Sequence, residues 1–171
     1  GGSPELLDLW SLSLEEPFRW TSFEDPWSAP PVKYGFSLTH DRLRRRALLF
    51  GGDDATRFSN EVWTLGLDDT ARWRPVHPEG TPPPPRTRHV AVLDSVNDRV
   101  VVLGGHDEAN TMLDAWALSL GEPMRWTRMP QAGEGPSGRA FLRGIYDPAG
   151  NRILTFGLGS DGVWALALGD S

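Results

Sequence analysis

At 171 residues, with 39% hydrophobic and 23% charged content, the chain is sized for a single domain that can bury a substantial core. A net charge of −6 argues against nonspecific nucleic-acid binding, which needs basic surface to neutralise phosphates, and no apolar run approaches the length that spans a bilayer. The absence of cysteine excludes disulfides, thiolate catalysis and cysteine-ligated metals.

No basic segment followed by an apolar one opens the chain, so no signal or transmembrane segment is expected within it, and the compartment stays open. Gly1-Gly2-Ser3-Pro4 reads either as a processing scar or as the tail of an earlier repeat. With 19 glycines and 15 prolines between short apolar runs, many strands and few helices are expected.

Residues 5–14 alternate apolar with small or polar side chains in their second half, the period of a strand with one buried face. Glu15-Glu16-Pro17 turns the chain into a second strand over 18–23, and a Pro-containing connection follows. A first complete unit then reads as strands over 34–39, 46–50, 61–67 and 72–76, with the second strand stopped by Gly51-Gly52. A second unit repeats that order over 88–93, 99–103, 114–120 and 125–129. Its incoming loop carries Pro82-Pro83-Pro84-Pro85, read as a stiff connector between units. A third unit supplies 140–146, 152–156 and 162–168 and lacks a fourth strand.

The order is a strict repeat. Trp10, Trp63 and Trp116 are 53 residues apart, as are Trp20, Trp73 and Trp126, Asp41, Asp94 and Asp147, and Arg46, Arg99 and Arg152. Gly51-Gly52 and Gly104-Gly105 keep the same step, with Gly157-Leu158 as the third copy. One supersecondary unit is therefore used repeatedly, and its neighbours must cover its faces. The glycine pairs are expected where a Cβ would obstruct both the turn and a close approach to the adjacent sheet. The tryptophans, Trp164 included, are expected to fill the wedge between sheets, while Trp27 falls outside the pattern.

The order Arg-x-x-His, a turn Asp, an apolar strand ending in Gly-Gly, a polar loop, Asp-x-Trp-x-Leu-x-Leu and then Trp-x-x-x-Pro resembles the kelch repeat over nearly the whole chain. It is most similar to the long bacterial kind, also found in galactose-oxidase-like central propellers. The resemblance implies an all-β propeller of four-stranded antiparallel blades, usually a binding scaffold. About three blades are present: outer strands of a leading blade in 1–26, blades in 27–79 and 80–132, and an incomplete blade in 133–171. A ring usually needs four to eight. A second copy completing a six-bladed ring, or the rest of a longer propeller chain, are the two partners this implies.

The loops expected at one end of the units hold the candidate ligand-binding residues. Lys33, Arg86 and Arg139 are one period apart and are read as a possible ring of cations for carboxylates, the competing reading being bonds between blades. Tyr34, Arg57 and Arg88 belong to the same loops. His89 matches the first-strand histidine of the repeat and reads first as structural. His106, beside Asp107 and a glycine pair, is the best lone functional histidine. The four histidines fall out of step with one another, so no repeated ligand set and no zinc spacing emerges, and no cofactor is expected.

The enzyme classes lack their parts. A galactose-oxidase-like copper site needs a cysteine-linked tyrosine, and no nucleophile elbow or phosphate loop occurs. The leading expectation is a non-enzymatic scaffold that recognises a protein or peptide segment. The alternatives are a carbohydrate-binding or carbohydrate-processing propeller, and a fragment whose activity is assembly itself.

Overall fold

The computed structural model describes residues 9–23, 29–31, 34–68, 71–133, 143–157 and 162–169. Among them every regular element is a strand. The strands are β1 (Leu9–Leu12), β2 (Trp20–Phe23), β3 (Ser37–Asp41), β4 (Arg46–Phe50), β5 (Val62–Gly66), β6 (Trp73–Val76), β7 (Val90–Asp94), β8 (Arg99–His106), β9 (Thr111–Ser119), β10 (Arg125–Met129), β11 (Arg143–Asp147), β12 (Arg152–Phe156) and β13 (Trp164–Ala167). They form a two-stranded sheet β1-β2, four-stranded sheets β3-β4-β5-β6 and β7-β8-β9-β10, and a three-stranded sheet β11-β12-β13, all antiparallel. All thirteen expected strands are present, with shifted ends. Tyr34 lies outside β3 and forms an isolated bridge with Asp53 instead.

The register repeats with the sequence. Leu12 faces Trp20 across β1-β2, as Leu118 faces Trp126 across β9-β10 and Leu65 faces Trp73 across β5-β6. Arg46 faces Asp41, Arg99 faces Asp94 and Arg152 faces Asp147 at the three first turns. In each turn one oxygen of the Asp carboxylate takes backbone N–H groups of the turn, one at Asp41 and two at Asp94 and Asp147, while the other accepts the arginine Nε at 3.0, 2.8 and 2.8 Å. That clasp explains why Asp and Arg recur five residues apart: the carboxylate caps the turn and the cation neutralises it.

Period-two alternation sorts each strand's side chains between two interfaces. Leu48, Phe50 and Val62 of the first four-stranded sheet meet Val100, Val102, Trp116, Leu118 and Trp126 of the second. From its other face the second sheet offers Val90, Val92, Val101, Leu103 and Ala115 to Ile153 and Leu166 of the three-stranded sheet and to Leu168 just after it. Ala47, Leu65 and Trp73 meet Leu9 and Phe23 of β1-β2. β7 packs beside both β3 and β11, so the first strands of the three larger sheets adjoin one another, as blades set around an axis require.

Two expectations about the repeat residues need correction. The glycine pair does not end the second strand in both units. β8 continues through Gly104-Gly105 to His106, with a register shift between Leu103 and Gly105 and renewed pairing of Gly105 with Met112. Gly51 and Gly104 have φ of 65° and 66°, Gly52 and Gly105 have 96° and 98°, and a Cβ on Gly52 or Gly105 would sit 2.8 Å from the carbonyl oxygen of Tyr34 or Thr87. The bulge that left-handed backbone creates lets pairing resume. The tryptophans do not all fill a wedge. Trp116 and Trp126 are buried, Trp63 and Trp73 are half-buried, and Trp10, Trp20 and Trp164 are 54%, 66% and 36% exposed. Trp10 and Trp20 share the face of β1-β2 that no described element covers.

Candidate functional site

In an antiparallel meander the connections alternate ends. The β4-β5 and β8-β9 loops therefore lie at the same end as the segments that lead into β3 and β7, and the β3-β4, β5-β6, β7-β8 and β9-β10 turns lie at the other. At the first end the sheets are tied through backbone. Gly52 N–H donates to Arg86 O at 2.8 Å, Arg86 N–H to Ser59 O at 3.0 Å, and Arg88 N–H to Gly35 O at 2.8 Å. Tyr34 and Asp53 exchange backbone bonds, as do Thr87 and His106, and the Thr87 hydroxyl donates to the Asp53 carboxylate at 2.9 Å. The loops are therefore held on a hydrogen-bonded frame.

The cation ring expected at this end loses Arg86, which is fully buried. Its guanidinium makes a bidentate pair with Asp114 at 2.7 and 3.0 Å and donates to the carbonyls of Pro84 and Gly104. Asp114 also accepts the Trp116 indole N–H at 2.6 Å. Desolvation pushes the Asp114 carboxyl up, and the hydrogen bonds from Arg86 and Trp116 with the Arg86 charge outweigh it, so the net shift is downward. Arg86 is an internal anchor of the second sheet, out of reach of a ligand. Lys33 and Arg139, with Trp27, lie outside the described residues.

His89 is also removed from the ligand surface. It is buried, its Nε2 is 2.9 Å from the Ser37 hydroxyl, and its ring meets Phe50 edge-on at 5.1 Å. Burial first, and then the Arg86 charge, lower its pKa to about 3, so the imidazole is neutral at physiological pH. Its Nδ1 has no hydrogen-bond partner.

What the loop end presents is Tyr34, 53% exposed, with the exposed side chains of Arg57 and Arg88 and half-buried His106 and Asp107. His106 Nδ1 is 3.0 Å from the Asp107 carbonyl, and its ring meets Phe58 edge-on. Asp107 accepts the Ala109 and Asn110 N–H groups, which hold its carboxyl below the usual range. Asp54 caps its own loop in the same way through Thr56 and Arg57. These acidic side chains shape the loops. Among the described residues no group of three or more His, Asp or Glu is placed to hold a metal ion, and no helix is long and apolar enough to cross a membrane.

Sequence reasoning missed a cleft at the opposite end. About 470 Å³ opens between the β3-β4 and β5-β6 turns, lined by Arg44, Arg45, Arg46, Arg72 and Arg74 with Thr64, Gly66 and Asp68. The signal lay in departures from the repeat: where this unit has Arg45 and Arg74, the next has Asp98 and Thr127.

The comparisons with known proteins agree with this architecture. A protein-family model described as "KLHDC2/KLHL20/DRC7 Kelch-repeats domain" matches residues 1–170. The chain is 32% identical over 121 residues to acyl-CoA-binding domain-containing protein 5 of Arabidopsis thaliana, covering 70% of this chain and 18% of that protein. It is 33% identical over 136 residues to Adagio-like protein 1 of Oryza sativa, covering 76% and 20%. It is 30% identical over 145 residues to serine/threonine-protein phosphatase BSL2 of Arabidopsis thaliana, covering 81% and 14%. The chain thus spans a fifth or less of the length of these relatives.

Proposed function

The chain belongs to the kelch-repeat family, and on that premise we propose that it is a non-enzymatic binding scaffold. It recognises a protein or peptide segment through the loop end and assembles with a second copy to complete a six-bladed ring. The units in this reading are outer strands in 1–26, blades in 27–79 and 80–132, and an incomplete blade in 133–171.

The observation that carries recognition is the backbone-bonded loop end, where Tyr34, Arg57 and Arg88 stand exposed on a frame fixed by Gly52, Asp53, Arg86 and Thr87. Rigid elements beneath exposed aromatic and guanidinium groups lower the ordering cost of binding. Support for assembly comes from the outward faces of the first and last sheets, where Trp10, Leu12 and Trp20 at one side and Ile145 and Phe156 at the other are uncovered. The second sheet buries the counterparts of these residues against neighbours, so two such faces meeting would remove both from water.

The test is selection of peptide ligands from a displayed library against the chain, followed by the Tyr34→Ala/Arg57→Ala double variant. Loss of the selected binders with an unchanged melting temperature is the expected result, and full retention would move recognition elsewhere. A second reading, a carbohydrate-binding propeller, is favoured by one feature, the half-exposed Tyr34 ring at the loop end. A glycan array in which Tyr34→Ala abolishes the signal, with no peptide ligand found, would replace the first reading with this one.

A further inference from the structure

The basic cleft lies at the opposite end of the sheets from the loops, and the repeat supplies an internal control for it. Residues that recur at one period are explained by the fold, and those that depart from it need another reason. At the four positions occupied by Arg44, Arg45, Gly66 and Arg74, the next unit has Asn97, Asp98, Ser119 and Thr127. The third unit has Gly150 and Asn151 at the first two. This unit alone gathers cations there, in a chain whose net charge is −6.

Two of the five arginines are committed. Arg44 holds Asp98 of the neighbouring sheet bidentately at 2.8 and 2.6 Å and also meets Asp41. Arg46 bonds Asp41 at 3.0 Å, the Leu120 carbonyl at 3.1 Å and Glu122 at 3.4 Å. Arg45, Arg72 and Arg74 are exposed, and among the described residues they form no ion pair. Arg125, one period after Arg72, is paired with Glu79, and one period before Glu79 the sequence has Pro26. Asp68, which accepts the Ala71 N–H, lines the same cleft and sets one negative charge among the three arginines that are unpaired among the described residues.

The backbone adds an independent sign. Arg45 sits at φ 50°, in the left-handed region, at the turn position where the other units have Asp98 at 49° and Asn151 at 42°. Asp and Asn tolerate that conformation best, because their short polar side chains bond locally. An arginine there is a costlier choice, and its side chain is delivered to the cleft by that turn.

We infer that the cleft between the β3-β4 and β5-β6 turns is a second binding site, which takes the carboxylates of an acidic peptide segment on Arg45, Arg72 and Arg74. The molecule already shows the chemistry at the cleft wall, where Arg44 and Arg46 take carboxylates presented by the next sheet. Planar guanidinium groups bind carboxylates bidentately. The 470 Å³ opening accommodates side chains of an extended segment across the floor made by Thr64 and Gly66.

The experiment uses the whole chain and a fluorescein-labelled hexaglutamate peptide, read by fluorescence anisotropy at low and at physiological salt. The site variant is Arg45→Asn/Arg74→Thr, which installs residues that other units carry at those positions and so preserves the fold, as a thermal melt checks. The control is Arg128→Ala, which removes an exposed positive charge from β10 of the second sheet, outside both proposed sites. The expected result is binding weakened on the order of tenfold or more in the double variant and unchanged in the control. Failure of the wild-type chain to bind the peptide, equal binding by the double variant, or an equal loss in the control would each overturn the proposal. Capture of inorganic phosphate with no peptide binding would overturn it too, leaving an isolated oxyanion site. Tyr34 and Arg57 carry the loop-end reading and Arg45 and Arg74 this one, so the two can fail separately.

Discussion

The second four-stranded sheet and the two-stranded sheet β1-β2 carry the same residues in the same register and bury them to opposite extents. Trp126 is 4% exposed and Trp20 is 66%, although each faces a leucine across an antiparallel pair and each follows an arginine. The difference is the neighbour. Trp126 lies against Phe50 at 5.0 Å, within a cluster that includes Val62 and Leu118, while nothing described lies over Trp20. In a repeat of this kind a strand's sequence states what it would bury, and the adjacent unit decides whether it does.

Substitutions at matched positions sharpen this comparison. Trp126→Ala is expected to destabilise the chain most, by about 4 kcal/mol, because it opens a cavity between two sheets that relax only in part. Chemical denaturation measures it, and a loss near that of an exposed site would refute the packing described. Arg86→Ala is next, at about 3 kcal/mol, because it leaves Asp114 charged and partly buried without its partner. The same denaturation series should place it well above Arg57→Ala.

His89 gives a pH signature of the covered interior. Its folded-state pKa, about 3, lies below the ordinary 6.5, so the unfolded chain binds the extra proton between these values. The stability held by the neutral ring is complete above about pH 6.5 and is lost as pH falls through that window, with a slope of at most about 1.4 kcal/mol per pH unit. Urea midpoints between pH 6.5 and 4.5 should fall less steeply in His89→Gln than in the parent. Below that range Asp94 and Asp114 add their own loss: desolvation pushes their carboxyls up, and hydrogen bonds, from Asn97 and Arg99 and from Arg86 and Trp116, outweigh it and hold them low. The smallest effect belongs to Trp20→Ala, expected below about 1 kcal/mol in the separated chain. A loss as large as that of Trp126→Ala would mean that β2 is covered even there.

The strand order was legible because the 53-residue period repeats the apolar alternation, the turn aspartates and the glycine pairs together. The Asp41, Asp94 and Asp147 clasps and the left-handed glycine pairs follow from local chemistry and were accordingly within reach of the sequence, though the continuation of β8 through its bulge was not. For Arg86 the sequence offered bonds to carbonyls or Asp residues beside the cation ring, but not its full burial or its partner Asp114, which lies 28 residues away. The unequal fates of Trp10, Trp63 and Trp116 were hidden for the same reason: identical letters, different neighbours. The basic cleft was hidden because Arg45 and Arg74 are distant in sequence, and only their departure from the repeat marks them.

The most direct test is the absolute mass in solution, by light scattering on a sizing column over a range of concentrations. If the uncovered faces of the first and last sheets are completed by a second copy, the mass is twice 18.9 kDa, and Trp20→Ala shifts the population toward the single chain. A mass of 18.9 kDa that persists at the highest concentration would contradict assembly by a second copy.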